Sequence, residues 1–116
     1  MDPHFEGVIF QTHAYELAKR LGRDFPVFKA IDVREPAAFA THHIPGAASA
    51  SAEELTLGLP EGTDEGTEFI IIGSHPDDQS VRMASQALRA NGAHRVVEFR
   101  GGMSEWEAYG YDQESA

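Results

Sequence analysis

Between Phe69 and Ala84 the sequence reads FIIIGSHPDDQSVRMA, an apolar run that enters a short polar loop and leaves into helix-compatible residues. A loop of this kind can hold a nucleophile or an anion, because backbone N–H groups converge where a strand ends and a helix begins. The candidate anion-binding loop is Ser74, His75, Pro76, Asp77, Asp78, Gln79 and Ser80. Gly73 and Pro76 suit a turn, and Ser80 is expected to cap the following helix. Ser74 beside His75 suggests a hydroxyl activated by an imidazole. Adjacent residues on an extended backbone point to opposite sides, however, and no third group is evident to orient the ring. A turn serine bonded to its own backbone is the better reading of Ser74. Asp77 and Asp78 oppose an incoming anion unless they point to solvent.

The chain contains no cysteine. Disulfides, thiolate metal sites and thiol catalysis are therefore excluded for the sequence as given. Six histidines raise the question of a metal, with His42 and His43 adjacent and His75 close to Asp77 and Asp78. No histidine pair has the i, i+4 spacing that places two imidazoles on one helical face, and adjacent histidines in a turn diverge, so no metal is expected.

The elements that must position this loop can be read on either side of it. Val8 to Phe10 suits a short edge strand, and Thr12 is a candidate N-cap for a helix carrying Leu17 and Leu21, closed by Gly22. Pro26 to Val33 suits a buried strand whose carboxyl end falls at Asp32 and Arg34, and Glu35-Pro36 opens a short helix through Ala40. Pro45 and Gly46 force a turn before a short segment, Ala47 to Ala50. Ser51 with Glu54 then forms a capping box for a helix through Leu55. The acidic stretch Glu61 to Glu68 reads as a solvated loop. Phe69 to Ile72 is apolar on both faces, as a central parallel strand requires, and a helix over about Ser80 to Asn91 places Val81, Ala84 and Leu88 together before Gly92 ends it. Val96 to Phe99 supplies a last strand, and a final helix carries Trp106 as a core residue. This βα alternation predicts an α/β fold, a parallel sheet with helices on both faces.

The length of 116 residues suits one domain over 1–116. A net charge of −10, from 9 Lys plus Arg against 19 Asp plus Glu, argues against nucleic acid or an anionic membrane as partner. The start lacks a basic segment followed by an apolar stretch, which leads to a cytoplasmic expectation.

Two separated segments, AIDVREPAAFATHHIPGA and VVEFRGGMSEW, resemble the rhodanese-like sulfurtransferase family in the right order. The resemblance spans nearly the whole chain and implies a five-stranded parallel sheet flanked by helices, with no cofactor. It also implies a catalytic Cys at the start of the loop after the fourth strand, carrying a persulfide between donor and acceptor. Counting back from Ser80 places Ser74 at the Cys position, and counting back from Gly92 and the Gly101-Gly102 pair places His75 there. Neither can form a persulfide. His43 corresponds to the structural histidine of the family's His-Ile-Pro-Gly motif, and Asp32 with Arg34 reads as a supporting ion pair beside the loop. A related phosphatase is disfavoured, since Ser80 closes the loop where an Arg would be needed.

Two functions remain open at this point. One is a rhodanese-like domain without sulfur transfer, a binding or regulatory module that holds a small thiosulfate-like anion or a protein partner at the loop. The alternative is a thiosulfate or persulfide sulfurtransferase whose catalytic Cys is replaced by Ser in the sequence as given.

Overall fold

The computed structural model describes residues 10–21 and 28–115. Ten elements alternate strictly: β1 (Phe10–Thr12), α1 (Ala14–Leu21), β2 (Lys29–Asp32), α2 (Pro36–Thr41), β3 (Ala48–Ser49), α3 (Ala52–Leu55), β4 (Glu68–Ile72), α4 (Gln79–Ala90), β5 (Arg95–Phe99) and α5 (Gly102–Ala108). The strands form one parallel sheet in the order β1-β5-β4-β2-β3. β4 lies at its centre, so its carboxyl end opens onto the loop that the sequence singles out.

Side chains alternate across a strand, and β4 shows what that does here. Ile70 and Ile72 join Leu17, Phe99, Met103 and Trp106 in one core, beneath α1 and α5. Phe69 and Ile71 join Leu55, Val81, Ala84 and Leu88 in the other, beneath α3 and α4. All four β4 residues from Phe69 to Ile72 are 0% exposed. Each contributes on the order of 1.5–3 kcal/mol through burial, which fixes the strand that carries the loop.

Several expectations are corrected. Thr12 is not a cap but the buried last residue of β1, and its carbonyl accepts the Arg100 amide at 3.1 Å. Pairing with β5 takes precedence over a local helix cap at this position. Glu68 is not part of a solvated loop: it begins β4, is 8% exposed, and accepts from Arg20 through both carboxylate oxygens at 2.7 and 3.1 Å. Its partner is 48 positions away in sequence, a separation that a reading of local charge density does not reach. The expected positions Val8, Ile9, Gly22, Pro26 and Val27 lie outside the described residues.

Other local readings match the structure. Ser51 and Glu54 exchange both capping-box hydrogen bonds at 3.1 Å. Gly92 follows α4 at φ 99°, the left-handed region that favours glycine at a helix end. Trp106 is 2% exposed, meets Phe99 edge-on at 6.2 Å, and donates its indole N–H to the Asp112 carbonyl at 2.8 Å. No helix among the described residues is long and apolar enough to cross a membrane.

Candidate anion loop and its supporting cluster

The loop runs from Gly73, just beyond β4, to the first turn of α4, and its backbone is gripped from the side by α5. The Met103 amide donates to the Gly73 carbonyl at 2.9 Å and the Ser104 amide to the Ser74 carbonyl at 3.0 Å. Gly102 permits this approach. A Cβ there would lie 2.7 Å from the His75 nitrogen and 2.8 Å from the Gly73 oxygen, and its φ of 64° is itself left-handed. The Gly-Gly turn is thus a steric requirement for seating α5 against the loop.

Inside the loop the decisive residue is Asp78. Ser80 was the expected cap of α4, whereas the N-cap is Asp78, whose Oδ1 accepts from the Ser80 amide at 2.9 Å. Its Oδ2 accepts from the Ser74 amide at 2.8 Å. An Asp two residues before Ser80 reaches that amide directly, and the shorter serine side chain is left inside the helix. Asp78 is half-buried and turned inward, while Asp77 is exposed. Burial by itself would raise the Asp78 pKa. Hydrogen bonds from the Ser74 and Ser80 amides and the Ser80 hydroxyl, together with nearby His75, outweigh that effect and hold the carboxyl below its ordinary range.

Ser74 and His75 are both exposed. The Ser74 backbone is bonded on both sides, through its amide to Asp78 and its carbonyl to Ser104. No Ser74–His75 hydrogen bond forms. Outside the loop backbone lies a groove of about 230 Å³ lined by His75 to Gln79, Val81, Arg82, Glu98, Phe99, Arg100 and Gln11. That volume falls below the ~300–1,000 Å³ of cofactor and drug-sized pockets. It has room for a small ion or one inserted side chain. The sequence reading missed Gln11, Arg82, Glu98 and Arg100 as walls of this groove. Only the parallel pairing of β1 with β5 brings Gln11 opposite Glu98, and no local pattern signals that.

Asp32 and Arg34 sit at the carboxyl end of β2, where Asp32 pairs with Ile72 at the end of β4, and they reach the segment that carries His43 through the His42 carbonyl. Asp32 is 0% exposed and is held by Arg34 through the Arg34 amide at 3.0 Å and the guanidinium at 2.8 Å. The same guanidinium donates to the His42 carbonyl. His43 is buried, stacks on Phe39 at 3.9 Å, and places Nδ1 2.8 Å from the Phe39 carbonyl. His42 faces solvent, so the two histidines diverge. Among the described residues no group of three or more His, Cys, Asp or Glu side chains is gathered as a metal site.

A larger groove, about 370 Å³, lies along β1 and α1 between Gln11 and Arg95. Its Arg20 and Arg95 are each ion-paired with Glu68, and among the described residues no strand-to-helix loop opens into it. The loop after β4 therefore remains the candidate site.

A central parallel sheet whose fourth strand in chain order feeds such a loop, with α5 docked through a Gly-Gly turn, is the architecture that the two resembling segments of the sequence imply. The sequence profile of the Rhodanese-like domain family matches residues 13–109, and the chain belongs to that family. Among solved structures, the chain is similar to the Alr3790 protein from Anabaena sp., with 28% identity, 90% of this chain and 91% of that chain covered, and a TM-score of 0.80. It is also similar to a thiosulfate sulfurtransferase from Pseudomonas aeruginosa, at 27% identity and a TM-score of 0.79, covering 94% of this chain but 20% of that one. The BH2092 protein from Bacillus halodurans shares the fold at 20% identity, a TM-score of 0.81, and coverage of 97% and 81%. No curated protein matches the chain.

Proposed function

We propose that this chain is a rhodanese-like module that binds without transferring sulfur, using the loop from Ser74 to Ser80 and the adjoining groove as its contact surface. The observation that carries the reading is the absence of any cysteine from a chain of this family. Sulfane sulfur is carried on a thiolate, and neither the Ser74 hydroxyl nor the His75 imidazole can hold it as a persulfide. A protein segment inserting a side chain suits the groove's size and mixed charge better than an anion does. A cytoplasmic setting belongs to the same proposal.

The test uses the purified chain with thiosulfate and cyanide. Thiocyanate is expected at the rate seen without protein, and intact mass is expected to show no sulfur adduct. Stoichiometric formation of a protein-bound adduct would sink the reading. The similarity to a thiosulfate sulfurtransferase favours a second one, in which Ser stands for a natural Cys. The natural coding sequence at codons 74 and 75 separates the two, since a Cys codon at either place restores the enzyme reading.

A further inference from the structure

An external anion entering this loop would be held by its backbone amides, and two of these lie at the strand end and at the helix start. Both are taken: Ser74 N–H donates to one oxygen of Asp78 and Ser80 N–H to the other, at 2.8 and 2.9 Å. Gly73 makes the room for this. A Cβ at Gly73 would lie 2.7 Å from Asp78 Oδ2 and 2.5 Å from Val81 Cγ2, so any larger residue would displace the carboxylate or the helix. Asp78 forms no ion pair with Lys or Arg among the described residues. Around the groove Arg82 and Arg100 stand against Asp77 and Glu98, so these fixed charges cancel. The loop's own amides are thus the direct compensation for this carboxylate.

We propose that Asp78 is a built-in counter-anion: it occupies the Ser74 and Ser80 amides, places a fixed negative charge in the loop, and makes the loop selective against external oxyanions and sulfur donors. The inference rests on the reading of the chain as a module without sulfur transfer and deepens it. Loss of the thiol is then only one of two barriers. A thiolate introduced beside Asp78 would meet a fixed negative charge where the cradle would otherwise supply N–H groups, and a like charge raises a thiol's pKa. A thiosulfate dianion would be repelled by the same carboxylate.

The test compares Ser74→Cys with Ser74→Cys combined with Asp78→Asn. Asparagine keeps a cap acceptor for the Ser80 amide but removes the charge, so helix capping is held nearly constant. The pH dependence of alkylation is measured for each, then sulfur uptake from thiosulfate by intact mass. In the productive step the thiolate attacks the outer sulfur of thiosulfate, a new S–S bond forms, and sulfite leaves with the bonding electron pair. The single variant is expected to titrate at or above about 8.5 and take up no sulfur. The double variant is expected to titrate about one unit lower, roughly tenfold more thiolate at neutral pH, and to gain the adduct. The pair built on His75→Cys is measured alongside, and an effect of Asp78→Asn at either position supports the proposal.

If Asp78→Asn changes neither thiol, or if Ser74→Cys alone has a depressed pKa and takes up sulfur, the proposal is overturned. Sulfate titration followed by the amide resonances of Ser74 and Ser80 gives a readout without any cysteine. These should stay still at millimolar sulfate in the unchanged chain and shift in Asp78→Asn, and equal shifts in both would overturn it. Thiocyanate formation by the unchanged chain would instead overturn the module reading, so the two failures are distinguishable.

Discussion

Asp32 closes β2, and Asp78 stands beyond the end of β4, the strand that pairs with β2. Both carboxylates accept a backbone amide two residues ahead, Arg34 in one case and Ser80 in the other. They differ in what balances the charge. Asp32 is fully buried against a guanidinium that is itself 9% exposed, whereas Asp78 is half-buried and balanced by peptide dipoles. A cation locks a strand end into one arrangement, while amides leave a charge that can be exchanged for another anion. The first device supports the fold, and the second decides what the loop admits.

The largest effect is expected from breaking the first device. Arg34→Ala leaves the Asp32 charge buried and unpaired and should cost about 3–5 kcal/mol in urea unfolding. A loss under 1 kcal/mol would show that water reaches Asp32 and that the two carboxylates are less different than their burial suggests. Asp78→Ala should cost about 0.5–2 kcal/mol through the lost cap, and Asp78→Asn only a fraction of that. Equal losses would assign the stability to the charge and not to the acceptor.

The smallest expected effect is on pH dependence. The folded Asp78 pKa lies below the unfolded value of about 3.9, so its contribution is present above that pH and is lost as pH falls through the folded pKa. Denaturation curves at pH 5 and pH 3 should therefore show a slightly smaller acid-induced loss in Asp78→Asn than in the unchanged chain. An identical loss would mean that Asp78 does not titrate differently on folding.

The centre of the sheet was legible because β4 and β5 carry short apolar runs closed by turn residues, whereas β1, Phe-Gln-Thr, carries none and its Thr12 was read as a cap. Phe69 to Ile72 could hardly be anything but a central strand, and Ser51 with Glu54 announced a helix by itself. Asp78 was legible as a charge but not as a partner. Two adjacent aspartates look alike in sequence, and which one turns inward depends on the loop's path and on Gly73. Glu68 was misread for the converse reason, because its cation comes from α1. Where a charge is compensated within a few residues, the pattern can be read locally. Compensation across the fold leaves no such trace.

The strand order has a consequence for how the chain is made. Among the described residues β1 has β5 as its only strand neighbour, with Phe10 opposite Val97, and His43 is bridged to Glu114 by two backbone hydrogen bonds of 2.8 Å. During synthesis from the amino end, β2, β3 and β4 can pair before β1 has any partner. The first strand and its helix must wait for the last one, across a loop whose closure costs entropy before any contact repays it. Ribosome-bound chains that expose residues only as far as α4 should remain protease-sensitive around α1, and protection there should arise together with exposure of β5. Early protection of α1 would mean that it docks on β4 without its own strand being paired.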